Sequence, residues 1–77
     1  MTTLSQLCAG DRARVIRISQ GALSYRRRLL ALGITPEITL TVLRVAPLGD
    51  PVQIAVRGSH LSLRHCEANM IEVEQIQ

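Results

Sequence analysis

Seventy-seven residues with an apolar fraction of 47% and a formal charge of +3 exclude a disordered chain and suit one small globular unit. There is no Trp and no Phe, and Tyr25 is the only aromatic residue, so the core must be almost wholly aliphatic. The charge comes from nine arginines and no lysine; it raises nucleic acid and anionic surfaces as partners, while the missing lysines also fit a genomic base-composition bias.

The N-terminus lacks the basic n-region of a secretory leader, and Asp11 and Arg12 cut its apolar stretch short. The longest apolar run, around Leu29, is about half a dozen residues where a membrane span needs ~20. Cys8 and Cys66 are therefore expected as free thiols of a reduced, cytoplasmic protein. Arg12 to Ile18 mixes Val15, Ile16 and Ile18 with arginine after a Gly10-Asp11 turn and predicts the first strand. Ser19 to Ala22 reads as loop, and Ser24 as the N-cap of a helix that starts at Tyr25. In that helix Tyr25, Leu29 and Leu32 fall at i, i+4 and i+7, an inward stripe, and Gly33 stands where a left-handed residue would close it. At about two turns it depends on packing more than on propensity. Arg27 and Leu30 then point outward.

Ile38-Thr39-Leu40-Thr41-Val42 alternates strictly and Leu43-Arg44-Val45 extends it, the clearest strand in the chain. Pro47, Gly49 and Pro51 break the run, and Val52 to Arg57 alternates again as its antiparallel partner. Gly58-Ser59 marks a turn, Leu61 to Arg64 a short strand, and His65 to Asn69 a single helical turn; Met70 to Glu74 closes the sheet. Five short strands with one short α-helix and a helical turn predict a mostly β fold, a closed or nearly closed small barrel over residues 1–77.

Tyr25-Arg26, Leu29-Leu30-Ala31-Leu32-Gly33-Ile34, Pro36 and the loop Arg44-Val45-Ala46-Pro47-Leu48-Gly49-Asp50-Pro51 resemble the FeoA family, small cytoplasmic proteins of bacterial ferrous iron uptake. Leu61-Ser62-Leu63-Arg64, Glu67-Ala68 and Ile71-Glu72-Val73 continue the likeness, which spans nearly the whole chain from Leu4 to Val73. The helix and the Ala-Pro-Leu-Gly-Asp-Pro loop, in that order, are its specific part. The resemblance implies an SH3-like barrel and an accessory role to FeoB, the membrane ferrous iron transporter with a cytosolic G-protein domain. The SH3-like domains at the ends of iron-dependent repressors are more distantly similar. One departure is Glu37, which follows Pro36 where the family commonly has glycine. A type II turn would hold Glu37 at φ > 0 at a cost of roughly 1 kcal/mol, so a type I turn is expected there, with the fold unchanged.

Nothing in the chain forms a nucleophile–base pair, a carboxylate pair or a phosphate cradle, so no catalytic residue, no enzyme activity and no cofactor are expected. An SH3-like groove for polyproline needs surface aromatics, which this chain lacks. His60, His65, Cys66 and Glu67 lie close in sequence, but His65-Cys66 lacks structural zinc spacing. His60 reads as a polar turn residue and Cys66 as a small buried hydrophobe, leaving His65 and Cys66 as adventitious ligands for a soft divalent ion. Of the Arg26-Arg27-Arg28 run, Arg28 flanks the inward stripe and covers apolar surface with its stem. The candidate partner-binding residues are then Arg26, Arg27, Leu30 and the loop tip Leu48, Gly49 and Asp50. The expected function is a non-catalytic adaptor of the FeoB-type transporter that promotes or regulates iron transport, including through its GTPase. The alternative is a small basic nucleic-acid-binding barrel or a repressor-type SH3-like module. The adaptor reading expects no nucleic acid and no membrane insertion, and leaves weak self-association open.

Overall fold

The computed structural model describes residues 2–19 and 23–76. Six strands form one antiparallel sheet in the order β1-β6-β2-β3-β4-β5: β1 (Thr2–Thr3), β2 (Arg12–Ile18), β3 (Thr39–Val45), β4 (Val52–Val56), β5 (Ser59–Leu63) and β6 (Ile71–Ile76). A 310 turn covers Leu4–Gln6, and two helices, α1 (Leu23–Ala31) and α2 (His65–Ala68), interrupt the strands. The five expected strands are β2 to β6. The sixth, β1, has only two residues, too short to show a period, and its place is set by pairing Thr2 with Val73 and Thr3 with Glu72.

The core is aliphatic, as the composition requires. Ala13, Val15 and Ile18 of β2, Leu40 and Val42 of β3, Val52, Ile54 and Val56 of β4, Leu63 of β5, and Ile71 and Val73 of β6 are buried in one cluster with Leu4, Leu7, Leu29, Ile34 and Ala68. Strands four places apart in the sheet feed the same cluster, so the sheet curls on itself. Two bulges help it do so. The β2–β6 register shifts between Val15 and Arg17, which moves the inward position from odd to even residues and turns Ile18 into the core. The β3–β4 register shifts between Val42 and Arg44; Val45 then packs against the core while Leu43 stays exposed. An extra residue of this kind bends a strand and increases its twist.

Gly33 ends α1 as expected. It has φ +94, its N–H donates to the Leu30 carbonyl at 3.0 Å, and the Ile34 N–H donates to the Leu29 carbonyl at 3.0 Å. This is the paired pattern of a Schellman motif. The start of α1 differs from expectation: Ser24 lies inside the helix, after Leu23, and is not its N-cap. The β4–β5 turn is Arg57-Gly58, not Gly58-Ser59, because Val56 pairs with Ser59. Both turn residues have positive φ, +52 and +75, as a two-residue type I′ hairpin demands. His60 consequently sits in β5 and not in a turn.

The Pro36-Glu37 turn also overturns the expectation. Glu37 has φ 78, and the Ile38 N–H donates to the Thr35 carbonyl at 3.2 Å, so the turn keeps the left-handed third residue of type II. Tertiary contacts hold Glu37 there. Its N–H donates to the Val15 carbonyl at 2.8 Å, and its carboxylate meets Arg14 Nη1 at 3.3 Å.

Candidate functional site

The candidate residues lie on two elements that meet through α2. Helix α1 carries Arg26, Arg27 and Leu30, all exposed; Arg27 and Leu30 face away from Leu29, which is buried, and Tyr25, which is half-buried, while Arg26 flanks that inward stripe three residues before Leu29. Arg28 leaves its neighbours and pairs with Glu67 of α2 through Nη1 and Oε2. Glu67 is fully buried. Its other oxygen accepts from the Arg64 N–H at 3.0 Å, which ties the carboxylate to the residue that caps its own helix. The arginine run thus divides into one structural residue and two with no carboxylate partner among the described residues. Arg28 does more than cover apolar surface, and nothing local in the sequence announces a partner 39 residues away.

The loop between β3 and β4 abuts the other side of α2. The Ala46 N–H donates to the Pro51 carbonyl at 3.1 Å and the Gly49 N–H to the Ala46 carbonyl at 2.8 Å, so the loop is internally braced. Asp50 Oδ1 accepts from the His65 N–H at 3.3 Å, satisfying a free amide of the first helical turn. Gly49 has φ +77, and a Cβ there would stand 3.4 Å from His65 Nδ1. Both residues therefore have structural reasons to be what they are. Leu48 does not: it is 102% exposed and left-handed at φ 69. A leucine in that backbone region costs roughly 1–2 kcal/mol, and full exposure forgoes any gain from burying its side chain.

Leu23 belongs with this set and is absent from the sequence reading. It is 60% exposed and lies two helical turns before Leu30, on the same face of α1. Starting the helix at Tyr25 hid it. Beside α1, Arg26 lines a shallow depression with Arg17, Ile18, Ser19 and Glu72. Arg17 Nε meets Glu72 Oε2 at 3.0 Å, and the hydrogen bond and charge of Glu72 raise the Arg17 pKa above its ordinary value.

Cys66 is exposed, as is Cys8, so the expected burial of Cys66 is wrong. It sits on the outer side of a one-turn helix whose inner side is taken by Glu67 and Ala68. Among the described residues, no three or more His, Cys, Asp or Glu side chains gather where they could hold a metal ion. Likewise, no described helix is long and apolar enough to cross a membrane.

Comparison with known proteins places this geometry. The family model of the FeoA domain matches residues 2–75. An Fe(2+) transport protein A/Fe(2+) transporter FeoB fusion protein of Porphyromonas gingivalis is 41% identical over 73 residues, which cover 95% of this chain and 8% of that protein. The chain therefore spans less than a tenth of that relative's length. A solution structure of FeoA from Chlorobium tepidum superposes with a TM-score of 0.87 at 42% identity, over 99% of this chain and 71% of that one. A zinc complex of Stenotrophomonas maltophilia FeoA, described as a prokaryotic SH3 domain protein, gives 0.86 at 25% identity over 100% and 98%. The barrel alone is shared with a manganese-dependent transcriptional repressor, TM-score 0.91 at 24% identity over 97% of this chain and 41% of that one. The fold is an SH3-like barrel, and the chain belongs to the FeoA domain family.

Proposed function

We propose that this chain is an accessory protein of ferrous iron uptake that docks on the cytosolic part of a FeoB-type transporter and promotes Fe(II) transport. The observation that carries the reading is the P. gingivalis relative, in which a sequence 41% identical to this one is joined to FeoB in one polypeptide. Covalent joining holds two partners at a high effective concentration, an advantage where the two act together. Belonging to a family of small SH3-like domains favours contact over catalysis, and Leu48 supports it from the structure. Its left-handed backbone and bare side chain are both costs in the isolated chain, and a partner pocket would recover the second.

Pull-down of the transporter's cytosolic portion by the purified chain tests the reading. Wild type is expected to bind, and Leu48→Asp to bind at least about tenfold more weakly, since a buried leucine contributes roughly 1.5–3 kcal/mol. Failure of the wild type to bind refutes docking. GTP turnover by the transporter domain, with and without the chain, then separates an activator from a passive partner.

A further inference from the structure

Leu23, Arg26, Arg27 and Leu30 stand at i, i+3, i+4 and i+7 of α1, within about 100° of arc on a regular helix. Leu23, Arg27 and Leu30 face away from Leu29 and Tyr25, which pack inward, and Arg26 stands at the flank of the ridge, three residues before Leu29. Leu23 is 60% and Leu30 40% exposed. No acidic residue occupies the first turn of α1. Glu67 and Glu72, the carboxylates the fold brings to this helix, are already engaged by Arg28 and Arg17. The result is a ridge with an apolar residue at each end. Between them stand two cations that have no carboxylate partner among the described residues.

Such a ridge defines its complement. The two leucines are separated by about 10 Å along the axis, so the matching surface has two apolar pockets at that spacing and carboxylates between. We infer that α1 docks through Leu23, Arg26, Arg27 and Leu30 into an acidic groove with apolar ends on the cytosolic part of the transporter, a helix-in-groove contact. The inference rests on the proposed function and adds the chemistry of the surface that receives this chain. A lipid bilayer is a poorer match. An interfacial helix keeps its apolar residues continuous and its cations on the polar face, whereas here the cations interrupt the leucines. A nucleic acid would neutralise both arginines but leave both leucines against water or phosphate.

The test compares the full-length chain, Arg26→Glu/Arg27→Glu, Arg26→Lys/Arg27→Lys and Leu23→Ser/Leu30→Ser for affinity to the purified cytosolic part of the cognate transporter, at low and high salt. The glutamate pair is expected to weaken binding about 100-fold at low salt, where opposed charges become like charges. The lysine pair should retain most of it. The serine pair is expected to lose about tenfold or more at both salt concentrations, because apolar burial is not screened. All four positions are exposed, so unchanged unfolding temperatures verify that the fold is intact. If wild type binds and both the glutamate and serine pairs bind equally well, the ridge is overturned while docking itself survives by another surface. If wild type does not bind, docking and ridge fall together. Binding of anionic vesicles or duplex oligonucleotide that disappears in these variants, with transporter binding untouched, reassigns the ridge and overturns the inference.

Discussion

Glu67 is fully buried on α2 and ties that helix to α1 through Arg28, a partner 39 residues away that nothing local in the sequence announces. Removing Arg28 would leave its carboxylate buried with one backbone donor, the Arg64 N–H. An uncompensated buried charge of this kind costs about 2–3 kcal/mol. Arg28→Ala is therefore expected to lower the unfolding temperature by roughly 10 °C, whereas Arg27→Ala, on the free face, should stay within about 2 °C; equal values for the two in a thermal melt would refute the assignment. Glu37 presents the opposite case. Glycine there relieves the positive φ and sacrifices only an exposed ion pair with Arg14, so Glu37→Gly is expected to raise stability by about 0.5–1 kcal/mol in urea unfolding. Cys8 and Cys66 are both exposed, and both should react with a thiol reagent in the native protein. The pKa of Arg17 is raised by its bond to Glu72. The stabilisation this bond brings is complete below the unfolded arginine value and is lost only as pH climbs beyond it, so the raised value adds no pH dependence to stability near neutrality.

Helix α1 is too short to stand alone, and its C-terminus depends on Gly33, where a Cβ would meet Arg57 Cδ at an ordinary 3.7 Å. The obstacle to Gly33→Ala is therefore conformational and not steric, with an expected loss of about 1–2 kcal/mol; a smaller change in urea unfolding would mean the chain ends the helix by another motif. Where elements could be read from the sequence, the signal was local: alternation marked β3 and β4, β-branched residues mixed with arginine after a turn marked β2, and the i, i+4, i+7 stripe with its terminal glycine marked α1. Where they could not, the determinant was distant in the chain. The Pro36-Glu37 turn has local chemistry for type I, yet the bond from Glu37 N–H to Val15 and the ion pair to Arg14 select the left-handed form. Strand β1 exists only as the partner of β6, and no property of Thr2-Thr3 by itself predicts it. The candidate site divides along the same line. Exposure of Arg26, Arg27, Leu30 and Leu48 followed from periodicity and turn residues. The engagement of Arg28, Gly49 and Asp50 with α2 did not, because it depends on residues 15 or more positions away.

For the molecule as a whole, charge lies mainly outside the energetics of folding. Three of its ion pairs, Arg14–Glu37, Arg14–Glu74 and Arg17–Glu72, join side chains of which at least one is well exposed, and such pairs contribute about 0–1 kcal/mol each. Stability is thus expected to change by less than about 1 kcal/mol between low and molar salt, while the affinity for an acidic partner falls steeply over the same range. A steady folding stability beside a falling affinity would locate the working charge of this protein on its surface. A parallel fall of both would place it in the fold.

The pairing of Thr2 with Val73 brings the first and last strands side by side at one edge of the sheet. Both points where the barrel joins any longer polypeptide therefore lie on the same side of the molecule. A domain hinged on one side can be spliced into a larger chain, or stand apart from it, without rerouting a strand.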